Sequence, residues 1–470
     1  MERSLLTLDA AFMLSLGAPE RGTSARIVQD ATLKSQEARV TDPAAATNII
    51  SAPPTPPTPP SVPTRRVSLW RNRDYMLLWS GQTVSSIGSG VSDLAFPLLI
   101  LALTHSPAQA GIAGGLRTLA YVLFSLPAGA LADRWDRKRM MIICEAGRAL
   151  VLGSIPLAGA LGHLTFLQLC VCAFVEGTLF TFFNLAEVAA LPQVVAPEAV
   201  PAAMSQNAAT QAISDLVSSP LSGLLFTVGR ILPFLADAVS YTASVLSLAL
   251  IRVKFQRSRP TGERRRLVAE IKEGMAFLLR HPVIGPMSIL NGVNNFVSGG
   301  ALLIIIVLLQ QEHTSAKGIG LVLGVSGVGG IIGALLGDRV QRRFRYGPTI
   351  AALMWGYTLC LALMAPFHAP VEVALLLIGW SFLNPLYNVV IISYRLAATP
   401  DELQGRVNSV ARLLSNALTP LGLALTGVLL QSIGVVPTIL IVVAGKVLVV
   451  LTVTLHRGIR TAPRIEATQG

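Results

Sequence analysis

Charge is scarce in this chain. Asp, Glu, Lys and Arg make up 13% of 470 residues, where a soluble globular chain carries roughly 25%. Acids are the scarcer sign: 25 against 37 bases, a net charge of +12. Histidine is rare too. His105, His163, His281, His313, His368 and His456 sit at loops or at the ends of apolar runs, and no two share a metal-binding spacing. Cys144, Cys170, Cys172 and Cys360 lie inside apolar runs. Cys170-Val171-Cys172 is too tight for an ordinary redox pair, so the four read as packing residues. No phosphate-binding loop is present: Gly327-Val328-Gly329-Gly330 is not followed by Gly-Lys-Ser/Thr. These absences argue against an enzyme, against a bound metal or cofactor, and against ATP as a direct energy source.

Apolar sequence is what the chain has. Hydrophobic residues account for 52%, and the mean hydropathy is +0.61. A helix crosses a bilayer with about 20 apolar residues. By that ruler the runs fall at 77–103, 111–132, 140–161, 164–188, 205–228, 232–252, 283–309, 318–337, 348–367, 371–394, 406–430 and 435–456. That is about twelve spans. The longest break, 253–282, is polar and basic and divides them into equal sets. The expected organisation is a disordered Pro-rich tail (1–67), a six-helix half (68–252), a basic linker (253–282), a second six-helix half (283–456) and a tail (457–470). Glu2 and Asp9 argue against a secretory signal at the start.

The cations explain themselves by position. Arg65 to Arg73, Arg134 to Arg139, Arg252 to Arg280, Arg339 to Arg345 and Arg457 to Arg464 all fall on one side, whereas the other side has little beyond Arg230 and Lys317. The positive-inside rule then places both termini in the cytoplasm. It also removes the need for a nucleic-acid partner, since the bases occupy short loops between spans.

One such loop carries a more specific pattern: Gly129-Ala130-Leu131-Ala132-Asp133-Arg134, then Arg137-Lys138-Arg139. A degraded copy recurs as Gly333-Ala334-Leu335-Leu336-Gly337-Asp338-Arg339, then Arg342-Arg343. Pro197-Glu198 and Asn207 match Pro400-Asp401 and Asn408 in the same way, and Pro220-Leu221-Ser222-Gly223 matches Pro420-Leu421-Gly422. Self-similarity at a nearly constant offset marks two parallel halves. The loop resembles the signature between helices 2 and 3 of the major facilitator superfamily of secondary transporters. Phe183-Asn184-Leu185-Ala186, Leu191-Pro192-Gln193-Val194-Val195, Asp237-Ala238-Val239-Ser240-Tyr241 and Gly405-Arg406-Val407-Asn408-Ser409 resemble the branch that includes the enterobactin exporter and the macrolide efflux proteins. Two departures stand out. Asp136 occupies a position where the general pattern often has glycine. Ser218-Ser219-Pro220-Leu221-Ser222-Gly223 is similar to the antiporter motif of exporters, with two serines in place of glycines.

Charges and amides inside spans are costly, so they are the candidate functional groups. Gln82, Ser85, Ser89 and Asp93 form a stripe at helical spacing in the first span. Glu176, Phe180, Asn184 and Glu187 do so in the fourth, and Asn207, Gln211, Asp215, Ser218 and Ser222 in the fifth. Asn291, Asn295 and Ser298 stripe the seventh; Ser381, Asn384 and Asn388 stripe the tenth. The resemblance implies that spans one, four, seven and ten line a central cavity. That would put Asp93, Glu176, Asn184, Asn291, Asn295, Asn384 and Asn388 on the path, with Asp215 a further coupling candidate. A desolvated carboxylate favours its protonated form, which proton exchange requires. The competing reading is structural: Glu176 or Asp215 neutralised by Arg117 or Arg148. Arg148 and Lys446 fall on spans that are outer scaffold in the family, so a buried partner or snorkelling is expected, with Glu145 the plainest partner for Arg148.

By resemblance, Asp133 faces the start of the eleventh span, near Arg406 and Asn408. A carboxylate at a helix N-terminus gains about 1 kcal/mol from the dipole. Gly129, Asp133, Arg134, Arg137, Lys138, Asp338, Arg339 and Arg406 are thus expected to form a conformational latch on the cytoplasmic side. The expected whole is an all-α, monomeric, multi-pass protein of the inner (cytoplasmic) membrane with the major facilitator fold. The implied function is proton-coupled efflux of a small hydrophobic compound (drug, macrolide or siderophore) by alternating access. An importer or facilitator, or a non-transporting sensor, would use the same fold.

Overall fold

A computed structural model of the chain describes residues 69–132, 134–255 and 267–462, and among these there is no β-strand. The N-terminal tail and Asp133 lie outside them. Six long helices come first: α1 (Arg73–Thr104), α2 (Pro107–Ala132), α3 (Arg137–Ala160), α4 (Phe166–Val194), α5 (Val200–Val228) and α6 (Leu232–Leu250). A short helix follows, α7 (Leu267–Arg280). The rest are α8 (Ile284–Ser298), α9 (Ala301–Gln311), α10 (Ala316–Arg343), α11 (Tyr346–Leu363), α12 (Pro370–Ala397), α13 (Gln404–Asn416), α14 (Thr419–Ile433), α15 (Val435–Leu455) and α16 (Arg457–Arg460).

Among the described residues, eleven segments are long and apolar enough to cross a membrane, with α8–α9 counted as one and α13–α14 as another. The expected fifth span is not among them. It forms helix α5 of 29 residues, but Ser205, Gln206, Asn207, Gln211 and Asp215 make it more polar than the other spans. It is packed along α1 and α10, and there Gln206 and Thr210 accept from Tyr75 and Trp79 of α1.

Helix starts follow local chemistry. The side chains of Asn72, Asp136, Thr165 and Ser315 each accept a hydrogen bond from the backbone N–H three residues on. Asp136, where the general pattern often has glycine, is therefore the N-cap of α3, its Oδ1 3.0 Å from Arg139 N. The polar break between the sixth and seventh spans hides a helix: α7 has apolar Ile271, Met275 and Leu278 at helical spacing, and these join the core formed by α8, α11, α12, α13 and α15.

The pairing of helices repeats. α2 packs on α4 as α10 packs on α12, α3 on α6 as α11 on α15, and α1 on α5 and α6 as α8 on α13, α14 and α15. The halves meet through α2 against α14 and α5 against α10. At these seams backbones touch: a Cβ on Gly111 would strike Leu423 O and Gly427, and one on Gly223 would strike Ala316 O and Gly320. The cores are distributed unequally. One cluster draws on both halves, from Leu94–Leu101 of α1 to Leu303–Leu309 of α9. The other two belong to one half each and lie toward the face bearing Arg134–Arg139 and Arg343–Arg345. On that basic face a cavity of about 560 Å³ separates Gly129, Ala132 and Ala189 from Gly405, Arg406 and Ser409. The two six-helix halves thus share a packed core toward one end and leave a cavity between them at the basic one.

The halves differ in one respect. α1 is continuous over 32 residues, but the seventh span is interrupted at Gly299-Gly300 between α8 and α9, and the eleventh at Ala417-Leu418 between α13 and α14. The two interruptions are in register: a Cβ on Gly299 would meet Thr419 O and Leu423 N.

Candidate functional site

The first cluster grows from α1, α2, α3 and α4. Arg117 Nη1 lies 2.5 Å from Asp93 Oδ1, and its Nε donates to Glu176 Oε2 at 2.6 Å. Arg148 donates to the other oxygen, Glu176 Oε1, from Nη2 at 2.8 Å and Nε at 3.2 Å. Its Nη1 reaches Glu145 Oε1 at 3.3 Å, and its Nη2 reaches Ser89 Oγ at 3.2 Å. Ser85 Oγ donates to Glu145, and Ser89 Oγ is 3.0 Å from Tyr241 OH. The Arg148 guanidinium lies 4.1 Å from the Tyr241 ring centre. Glu145, Arg148 and Glu176 are buried.

Three carboxylates thus meet two guanidiniums. Asp237, fully buried on α6, adds a fourth. Its Oδ1 accepts from Ser240 Oγ at 3.1 Å, and among the described residues its Oδ2 has no hydrogen-bond partner. Gly88 of α1 makes this approach possible, since a Cβ there would strike Asp237 Oδ1 and Ser240 Oγ. The cluster carries more acid than base, and the side chain best placed to exchange with solvent is Asp93, 48% exposed. Asp93 and Arg117 line a cavity of about 200 Å³ whose far wall is Gly299, Leu302, Leu303 and Leu423 of the other half.

The second cluster grows from α8, α12, α13 and α15. Asn291 Nδ2 donates to Ser415 Oγ at 3.0 Å, Tyr387 OH donates to Asn291 Oδ1 at 2.9 Å, and Asn295 Nδ2 donates to Ser415 O at 2.9 Å. Asn388 Nδ2 donates to Asn384 Oδ1 at 2.8 Å one turn back, and both side chains are exposed. These four amides share a cavity of about 210 Å³ with Asn294, Ser298, Tyr357, Trp380 and Lys446.

The sequence-derived candidates separate accordingly. Asp93 and Glu176 are joined through Arg117. Asn291, Asn295, Asn384 and Asn388 come together in the second cavity. Asp215 takes neither arginine: it is exposed on α5 and accepts from Gln211 Nε2 at 2.8 Å. Asn184 is half-buried on α4, two turns from Glu176. Glu145 does pair with Arg148, as expected, but Arg148 also holds Glu176, so the third span is part of the cluster and not only scaffold. Asp237 was legible only as part of a family-like string; a buried acid one turn from Tyr241 is the signal that singles it out.

Of the expected latch, Asp133 and the Asp338 side chain lie outside the described residues. Arg137 donates to Ala132 O at 3.2 Å and Ala189 O at 2.8 Å, and Lys138 to Ile251 O at 2.6 Å, so both bind carbonyls at the ends of α2, α4 and α6. Arg134 and Arg339 are exposed. Arg406 Nη1 lies 2.6 Å from Glu273 Oε2 of α7. A Cβ on Gly129 would meet nothing within 4 Å, while one on the repeat-related Gly333 would strike Phe382 O. Gly129 borders the open cavity; Gly333 lies inside the α10–α12 contact.

Residues 78–423 match the family model described as Major Facilitator Superfamily. The multidrug efflux pump Tap of Mycolicibacterium fortuitum is 26% identical over 382 residues, covering 78% of this chain and 91% of that protein. The enterobactin exporter EntS of Escherichia coli O157:H7 is 24% identical over 400 residues, covering 82% and 94%. Among solved structures, a point mutant of the nucleoside transporter NupG superposes with a TM-score of 0.71 at 12% identity, covering 82% of this chain and all of that one.

Proposed function

The chain belongs to the major facilitator superfamily, and from that premise we propose that it exports a small, largely hydrophobic compound in exchange for protons. It is a multi-pass membrane transporter, and the curated relatives above are efflux pumps. The observation that carries the finer reading is the surplus of carboxylate in the first cluster, with Asp93 on the wall of a cavity shared by both halves. A proton on Asp93 removes its attraction for Arg117 and leaves that guanidinium to Glu176 alone. A charge change at the seam between halves is what couples proton binding to their rocking. The basic face is cytoplasmic in this reading, so the open cavity faces the compartment from which cargo is collected.

The test is accumulation of a panel of fluorescent drugs and macrolides in an efflux-deficient bacterial host, with and without a protonophore. Expression of the wild type should lower accumulation, and the protonophore should abolish the difference. Asp93→Asn should behave like the protonophore-treated wild type at equal membrane abundance. Efflux that persists with the gradient collapsed, or that survives Asp93→Asn unchanged, would sink proton coupling at this site.

A further inference from the structure

The second cavity holds a cation with no anion. Lys446 of α15 is 3% exposed, and no carboxylate among the described residues pairs with it. Its Nζ donates to Ser298 Oγ at 2.7 Å and Asn294 Oδ1 at 3.2 Å. It also lies 5.6 Å from the Trp380 ring centre and 5.9 Å from that of Tyr357. All four partners are neutral. Burying a charge without a counter-charge is costly, and the first cluster answers that cost with direct ion pairs. Here two neutral hydrogen-bond acceptors and two ring faces take the place of a counter-charge, on the wall of a cavity.

That space has a definite character. Its walls are amides and aromatic rings, and its volume is about 210 Å³. An apolar cavity of about 150 Å³ holds benzene, so there is room for one aromatic ring with an acidic group. Whole drug-sized ligands need roughly 300–1,000 Å³; the rest of a cargo must lie outside. The exposed Asn384 and Asn388 mark the open side. Ser298 lines this cavity and Gly299 the one containing Asp93, so the two flank the interruption between α8 and α9. Discontinuous spans mark transporter binding sites because freed backbone groups there can meet a ligand.

We propose that the cavity around Lys446 receives the acidic group of the cargo, a carboxylate or phenolate borne on an aromatic ring. The Lys446 ammonium supplies the counter-charge, Asn294 and Ser298 hold it in place, and Trp380 and Tyr357 contact the ring. This rests on the transport reading above and narrows it: the cargo is an amphiphilic aromatic acid, bound with its acidic end in one half and facing the carboxylate cluster of the other.

Equilibrium binding of 2-naphthoate and of its neutral amide to the purified full-length protein tests this directly. No gradient is involved, so the result stands or falls independently of proton coupling and of transport direction. In nanodiscs of phosphatidylcholine, naphthoate should bind about tenfold to hundredfold more tightly than naphthamide, the margin expected for a hydrogen bond to a charged group. Lys446→Met keeps the length and removes the charge. It should erase the preference while the protein remains folded, because an unpaired buried charge is being replaced by an apolar isostere. Asn294→Leu, which leaves the lysine in place, should weaken naphthoate more than naphthamide. Equal binding of the two probes by the wild type, no binding of either, or a preference that survives Lys446→Met would overturn the proposal. Exclusion of naphthoate when phosphatidylglycerol is added would assign the cavity to a lipid headgroup and overturn the cargo reading.

Discussion

Asp93 and Glu176 share the guanidinium of Arg117 in different surroundings. Both are acids in the middle of apolar spans, and both bind Arg117. Geometry separates them. Glu176 is buried and holds two guanidiniums, one per carboxylate oxygen; Asp93 is half exposed and holds one. Removing one partner from a buried ion pair costs about 3–5 kcal/mol, because the other charge is left uncompensated. Glu176→Gln should therefore lower the melting temperature of the purified protein markedly, and Asp93→Asn only slightly, although both disturb transport. Equal melting temperatures for the two variants would contradict this division into a positioning acid and an exchanging acid. The sequence could reveal that both acids exist, and that Arg117 and Arg148 were available to them. Which oxygen meets which nitrogen depends on the contacts among α1, α2, α3 and α4, and no spacing within one helix encodes that. Lys446 shows the same limit. A buried partner or snorkelling was the expectation for it; that the partners are Ser298 and Asn294 depends on the contact between α15 and α8.

Spans were more legible than sites, because an apolar run of bilayer length is a one-dimensional signal. Helix α5 and helix α7 show where that signal fails. α5 carries polar residues, some paired with α1 and others, Gln211 and Asp215 among them, exposed; α7 is amphipathic and short, and its basic flanks make it read as loop. The junction after α7 holds a chemical detail with a pH signature. His281 Nδ1 accepts from Val283 N at 3.2 Å and Ile284 N at 3.1 Å, capping the start of α8. Only the unprotonated nitrogen can accept, and burial pushes the His281 pKa below its usual value. The proton is thus bound more tightly in the unfolded chain. Stability from this cap is complete above the ordinary histidine pKa of about 6.5 and is lost as pH falls through the lower, folded value. Melting of the wild type between pH 8 and 5 should show a loss of about 1 kcal/mol attributable to this cap. His281→Asn retains an acceptor and does not titrate, so it should flatten that part of the profile. An unchanged profile in the variant would remove His281 as the cause.

At the scale of the whole molecule, the repeat seen in sequence is the repeat seen in packing, and it explains why paired glycines can have different surroundings. Gly333 is packed within one half and should stay packed whichever way the halves rock. Gly129 borders the 560 Å³ cavity on the basic face, where the opposite wall includes Gly405, Arg406 and Ser409. If alternating access closes this cavity, Gly129 is where α2 must come nearest to α13, and a side chain there would obstruct closure without disturbing the present state. Gly129→Leu should then fold normally, lose transport, and leave the basic face open. The check is maleimide labelling of a cysteine at Ser409 in a chain lacking its four native cysteines. Labelling should be faster in the Gly129→Leu background than in the wild type, because the wild type spends part of its cycle with that wall covered. Gly333→Leu is the contrast: its clash with Phe382 O lies inside one half, so the loss should appear as reduced stability. Undiminished transport by Gly129→Leu at normal abundance would show that the halves do not close over this glycine, and the latch would have to be sought elsewhere on the basic face.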